Sequence, residues 1–351
     1  MPALRLAVDA RDLLTDRRGI GTYVRALLTR LAQRDDVALT LLVRDWFAPR
    51  LTPRFRAALG VDGGTRSVRC ASRIPRDADV VWHPWNGTFF TTDRPAVATI
   101  HDVIPFALPD SDAARRASQQ APFLRTAATA RTIVCDSAHT AGDVKRYLGV
   151  DAARLRTVAL GVDPMFSTGD RAALPAPLRG RRYVLYVGAH DPHKNTALLA
   201  AAWSLAFPAG DVALVFTRPS PFACEAIVCE NAPAATLVAL YRGAEIVAVP
   251  SLYEGFGLPV LEAMACGAPV LAARATALPE VGGAAAAYVD DPRSVESWQH
   301  ALRGLAADPQ RRAALAGAGP PRAATFTWDA CAERTLTVLR EAAAPSSKAT
   351  T

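Results

Sequence analysis

The sequence predicts an α/β protein of two Rossmann-like domains, each a mostly parallel sheet with helices on both faces. Three observations point there. Short apolar, β-branched runs alternate with longer helical patterns along the 351 residues. The alternation begins afresh after about residue 165, where a segment rich in Pro, Gly and Arg starts. Half of the residues are apolar, which supplies a core for a length that suggests about two domains.

The elements follow in order. The apolar run at 4–8 opens the first half, and a Gly-bearing loop leads to a helix over 22–32. Strands are expected at 37–43, 79–82, 96–100 and 132–135, most of them feeding a loop and a helix. Residues 1–165 thus form the first domain and 166–182 a connector. In the second domain, 183–327, strands are expected at 183–187, 212–216, 246–249 and 269–272. Helices are expected at 195–207, 236–243, 257–266, 294–306 and 309–317. A last helix at 328–343 is expected to return toward the first domain, and 344–351 reads as a frayed tail. Two such domains facing a central cleft would bind a ligand outside the carboxyl ends of their strands. Neither half carries G-x-G-x-x-G, since Gly19-Ile20-Gly21 lacks the third glycine, which argues against ordinary dinucleotide binding.

Charge is unevenly spread. Residues 1–165 hold 24 Lys+Arg against 17 Asp and no Glu, a net of +7, whereas the remainder holds 16 basic and 16 acidic residues. That balance points to an anionic partner for the first half, with a merely solvated Arg-rich surface as the plain alternative. The basic residues are scattered and no recognition motif is present, so nucleic acid is not expected. No apolar run reaches the roughly 18 residues of a membrane span, and the first residues lack a signal-peptide core. The six cysteines form no C-x-x-C pair and no metal-ligand set, so a reduced, cytoplasmic protein without bound metal is expected.

The most informative segment runs from Pro250 to Val270. A strand ends at Pro250, a Gly-rich turn follows, and a helix starts near Leu258-Pro259 with Pro in its tolerated first turn. The amides at such a helix start suit an anion, and Gly255 and Gly257 allow close backbone approach. Glu254 and Glu262 stand beside that anion site. Carboxylates accept well from vicinal hydroxyls, so the segment reads as a site for a sugar-bearing diphosphate, against a plain solvated loop and helix.

This segment resembles the retaining glycosyltransferases of family 4, which have the GT-B fold. Glu254 and Glu262 match the family's Glu-x7-Glu motif within about twenty consecutive family-like positions. The resemblance implies that Glu262 holds the donor ribose and Glu254 the donor sugar. It also implies that the amides of Phe256, Gly257 and Leu258 bind sugar and diphosphate. It makes the first domain acceptor-binding and the second donor-binding, with a nucleotide sugar as co-substrate and no metal.

Lysine is scarce, with only Lys145, Lys194 and Lys348 against 37 arginines. Lys194 follows Gly188-Ala189-His190-Asp191-Pro192-His193 at a strand-to-helix turn, where its compact ammonium suits a pyrophosphate oxygen. It matches the basic residue of the family that neutralises the leaving diphosphate. The family's accompanying Arg is absent, with His193 or Ala189 in its place. Arg18, Gly19 and Gly21 resemble the family's first loop, Arg-Gly-Ile-Gly-x-Tyr, which reaches donor phosphate and acceptor. A turn with a helix cap is the simpler reading of that segment.

His101 and Asp102 end a strand in Thr99-Ile100-His101-Asp102-Val103-Ile104-Pro105, which matches the family's Thr-x-His-Asp-x-x-Pro. The resemblance places His101 near the donor sugar. Trp85 and Asn86 resemble the family's acceptor-side loop, where a ring could stack on a sugar or simply pack. Asp110-Ser111-Asp112 reads as a helix cap rather than a metal site, and Asp136-Ser137 as a helix start. Between Phe216 and Tyr241 no strand is evident where the family runs past the nucleotide base.

The resulting expectation is a retaining, metal-independent hexosyltransferase. GDP-mannose is the first-choice donor, and the acceptor is a saccharide or lipid-linked saccharide of cell-surface polysaccharide or glycoconjugate synthesis. His101, Lys194 and Glu254 would be catalytic. The basic first half would meet the acceptor's phosphate or an anionic membrane surface, from a peripheral location at the inner face. The alternatives are a weakly active GT-B scaffold and a nucleotide-sugar epimerase or hydrolase.

Overall fold

The computed structural model describes residues 3–61, 68–222 and 224–345, so most of the tail read as frayed, 346–351, lies outside the described residues. The chain divides into two compact units, Met1–Gly161 with Trp328–Thr351, and Val162–Thr327. The segment read as a connector belongs to the second unit.

The first unit alternates β1 (Leu4–Asp9), α1 (Gly19–Ala32), β2 (Val37–Leu42), α2 (Thr52–Ala58), β3 (Val68–Ala71), β4 (Val80–His83) and β5 (Ala96–Ile100). It continues with α3 (Ile104–Ala107), α4 (Ala113–Thr129), β6 (Thr132–Cys135), α5 (Ala138–Leu148) and β7 (Leu155–Thr157). The strands pair in parallel in the order β3-β2-β1-β4-β5-β6-β7. Every residue of β4 and β5 is buried, as expected of central strands covered on both faces. On α1, Tyr23, Val24, Leu27, Leu28 and Leu31 recur at helical spacing and form the buried stripe.

The second unit comprises β8 (Arg182–Tyr186), α6 (Thr196–Ala206), β9 (Val212–Phe216), β10 (Ile227–Val228), α7 (Ala234–Gly243), β11 (Ile246–Val249) and α8 (Leu258–Ala265). Then come β12 (Val270–Ala273), α9 (Leu278–Gly282), β13 (Ala287–Val289), α10 (Val295–Ala307) and α11 (Pro309–Ala323). Its parallel sheet has the order β10-β9-β8-β11-β12-β13. The closing helix α12 (Trp328–Ala343) packs in the first unit. There Trp328 is buried with its ring 6.3 Å from that of Tyr23, and Arg340 on α12 bonds Asp36 at 2.6 Å.

Two expectations change. A strand does follow Phe216, because Ile227 and Val228 of β10 pair with Val215 and Phe216 of β9. The first helix begins at Gly19 rather than near residue 22. Gly21 can only be glycine there, because a Cβ would lie 2.2 Å from the Asp16 carbonyl oxygen. No helix among the described residues is long and apolar enough to cross a membrane.

Candidate functional site

In the second unit, the loops after β8 and β11 bring Lys194 and Glu254 together. Lys194 ends a single 3-10 turn, and the Lys194 Nζ donates to Glu254 Oε1 at 2.7 Å. Ser251 Oγ donates to the same oxygen at 2.7 Å. The Glu254 amide donates to Thr276 Oγ1 at 2.9 Å, and Thr276 itself sits at φ +50°. The Leu252 amide donates to the His193 carbonyl at 2.8 Å, which ties the two loops to each other. Glu254 is thus gripped through both its side chain and its backbone.

Gly257 turns the chain into α8. Its φ of +110° is left-handed, and a Cβ would lie 2.8 Å from Leu278 Cδ2. Leu258 is then the first residue of the helix, with Pro259 in the first turn. The first amides of a helix have no carbonyl partner within it, so this start is suited to an anion. Phe256 is buried, with its ring 5.8 Å from that of Phe326, so its side chain packs and offers no ring face to a ligand.

Glu262 lies one turn further along α8. Its Oε2 accepts from the Tyr241 hydroxyl of α7 at 2.7 Å. Burial pushes the Glu262 carboxyl up to about 7; the Tyr241 hydrogen bond opposes this and the nearby Asp163 adds to it. Burial and Glu262 together raise the Tyr241 phenol well above its usual range. On the other flank, His190 Nδ1 lies 3.0 Å from Thr196 Oγ1, and its ring packs on Phe216 and Phe222 at 4.9 and 5.6 Å.

The first unit holds a second cluster at the carboxyl ends of β4, β5 and β6. His101 Nδ1 lies 2.7 Å from Asp136 Oδ2, and Nε2 lies 2.9 Å from the Pro84 carbonyl. Burial alone would lower the His101 value, but Asp136 and the Pro84 carbonyl outweigh it and hold the value above the ordinary one. Both ring nitrogens therefore face protein acceptors, and His101 is 6% exposed. Tyr23 meets its ring edge-on at 4.8 Å.

Asn86, at φ +61°, locks the loop after β4 to this strand end. Its Oδ1 accepts from the His101 amide at 2.8 Å, and its Nδ2 donates to Asp102 Oδ2 at 3.2 Å. Trp85 is 6% exposed and donates Nε1 to the Asp9 carbonyl at 2.7 Å, so its ring packs and offers no stacking face. Arg18, just before Gly19, holds Asp16 at 2.6 Å while its side chain remains 79% exposed. Asp112 caps α4 by accepting from the Arg115 amide at 2.8 Å, and Ser137 caps α5. No group of acidic, His and Cys side chains fit to hold a metal occurs among the described residues.

Local sequence pattern does not announce Ser251, Thr276, Tyr241 or the His101 partner Asp136. Ser251 stood three residues before Glu254, which was the available signal. In the sequence, Asp136 reads only as part of a helix start.

Residues 17–166 match the family described as Glycosyltransferase Family 4, and residues 226–321 match Glycosyl transferases group 1. O-antigen chain mannosyltransferase B of Escherichia coli is 30% identical over 287 residues, 75% of this chain and 74% of that protein. The chain belongs to this glycosyltransferase family. The D-inositol 3-phosphate glycosyltransferase of Segniliparus rotundus is 33% identical over 233 residues, 60% of this chain and 52% of the relative. A Rhodococcus jostii relative of the same name is 32% identical, with 61% of its length matched. The chain thus spans between half and two thirds of these two curated relatives.

Solved structures agree on the fold. Sucrose-phosphate synthase from Thermosynechococcus elongatus superposes with a TM-score of 0.74 at 18% identity, covering 97% of this chain and 99% of that one. The Anabaena HepE protein, solved with UDP and glucose, gives 0.72 at 14% identity, covering 96% and 100%. The fold is GT-B. Glu254 and Glu262, the two glutamates of the motif that resembles this family, are braced by Lys194, Ser251 and Tyr241.

Proposed function

We propose that the protein is a retaining glycosyltransferase that moves a hexose from a nucleotide diphosphate sugar to a saccharide or lipid-linked saccharide. The observation that carries this reading is the Lys194–Glu254 pair beside the Gly257-led start of α8, with Glu262 one turn behind. An ammonium has three donors, and one is committed to Glu254, which leaves two for diphosphate oxygens. The amides of Gly257 and Leu258 stabilise the same charge as it builds on the leaving group. Glu254 Oε1 already accepts two bonds, so Oε2 takes a hydroxyl of the donor sugar. Glu262 accepts from the ribose hydroxyls.

No carboxylate nucleophile is assigned. The acceptor attacks from the face that the diphosphate leaves, and a leaving phosphate oxygen takes the acceptor proton. Amides and Lys194 supply the electrophilic stabilisation, so no metal is required in this reading. The first unit carries the acceptor side through Arg18, Asn86 and Asp102. His101 acts there as a positioning residue, because both ring nitrogens bond to protein. The mannosyltransferase relative favours mannose, with GDP-mannose as donor.

The test is a panel of nucleotide sugars, with and without a lipid-linked saccharide, assayed for nucleotide release. Acceptor-dependent release, unchanged by EDTA, supports the reading. Release at the same rate without acceptor assigns the protein to hydrolysis instead.

A further inference from the structure

Trp46 and Phe47 stand out on the surface of the first unit, 87% and 60% exposed. The other exposed large hydrophobics among the described residues are isolated aliphatic side chains such as Leu124 and Leu205. Single exposed apolar residues are ordinary, but two adjacent large aromatics in water are not. They sit between β2 and α2, on a loop fixed by its own bonds. The Phe47 amide donates to Asp45 Oδ1 at 2.7 Å, and the Arg50 amide to the Phe47 carbonyl at 2.8 Å.

Their surroundings are basic. Residues 44–56 carry Arg44, Arg50, Arg54 and Arg56 against Asp45 alone. Arg44, Arg50 and Arg54 are exposed, and the Arg50 guanidinium lies 4.8 Å over the Phe47 ring. An aromatic pair framed by guanidinium groups matches one surface in both respects: an anionic bilayer, whose interface takes amphipathic rings and whose phosphates take the arginines. The whole net positive charge of the chain also lies in this half.

We infer that the Trp46-Phe47 loop docks the first unit onto an anionic lipid bilayer, with both rings at the headgroup level and Arg44, Arg50 and Arg54 on lipid phosphates. The contact is peripheral and needs no spanning helix. It stands apart from the transfer reading, because it is measured with no donor or acceptor present.

The chain supplies its own reporter. Of its six tryptophans, Trp82, Trp85, Trp203, Trp298 and Trp328 are buried, so exposure changes at Trp46 dominate any environment-driven emission shift. The full chain is mixed with vesicles of phosphatidylcholine alone or with added phosphatidylglycerol. A blue shift and co-flotation are expected only with the anionic vesicles, both reversed by salt. Trp46→Ser with Phe47→Ser should abolish flotation while leaving thermal unfolding unchanged. Replacing Arg44, Arg50 and Arg54 by Gln should weaken binding roughly a hundredfold, at about fivefold per charge. No shift with anionic vesicles overturns the proposal. So does undiminished flotation of the double variant, or a blue shift that appears with protein concentration in the absence of vesicles, which would make a second copy the occupant.

Discussion

Lys194 Nζ lies 2.7 Å from Glu254 Oε1, an ion pair joining two loops 60 residues apart in sequence. Ser251 completes the grip on that oxygen, and Thr276 holds the Glu254 amide. The pair is mostly buried, with side chains 23% and 13% exposed, so each partner fixes the other.

Removing the ammonium tests this pair first. We expect Lys194→Ala to lower kcat/KM by about 100-fold, as when one preorganised donor to a leaving group is lost. Lys194→Arg should recover only part of this, because the planar fork cannot reproduce a compact charge. Acceptor-dependent nucleotide release measures it, and a variant within a few-fold of wild type would remove Lys194 from the mechanism.

Gly257 tests the start of α8. Ala there would meet Leu278 Cδ2 and adopt a φ of +110°. We expect Gly257→Ala to cost about 1–3 kcal/mol in denaturant unfolding and to weaken nucleotide binding further. Unchanged stability would show that the turn relaxes freely.

Glu262 makes stability depend on pH. Its carboxyl ionises near 7 in the folded protein and near its ordinary 4.5 when unfolded. The folded state therefore holds its proton longer, and stability falls as pH rises through that window. We expect Glu262→Gln to remove this slope. At pH 8 the variant should gain up to about 3 kcal/mol relative to wild type, compared with pH 4. Parallel stability-pH curves for the two proteins would contradict the assignment.

His101 gives a second pH signature. Its folded value is raised, so its contribution is complete below the unfolded value of about 6.5 and is lost as pH rises through the folded value. His101→Ala strands Asp136 in the interior and should cost about 3 kcal/mol or more at pH 6. The deficit should narrow at alkaline pH, and a pH-independent deficit would indicate lost packing alone.

The central strands were legible because burial on both faces writes them as continuous apolar runs, as in Val212–Phe216 and Ile246–Val249. The four strands that the sequence did not announce, β3, β7, β10 and β13, are the four sheet edges. Edge strands are short and half-solvated, so Arg69, Arg156 and Glu-flanked Ile227-Val228 interrupt the apolar signal. The paired glutamates and Lys194 were legible from local spacing. The partners of His101 were not, because Asp136 and Pro84 reach it only through the sheet. The packing of Trp85 was likewise decided by a carbonyl on β1, far away in sequence.

The most direct test is thermal unfolding with GDP, UDP, ADP and dTDP, for wild type and Lys194→Ala. One nucleoside diphosphate should stabilise wild type, by about 2.7 kcal/mol at a hundredfold excess over its Kd, and Lys194→Ala should lose most of that gain. Stabilisation by none of the four, or an equal gain in the variant, would contradict a nucleotide-sugar site built on Lys194 and Glu254.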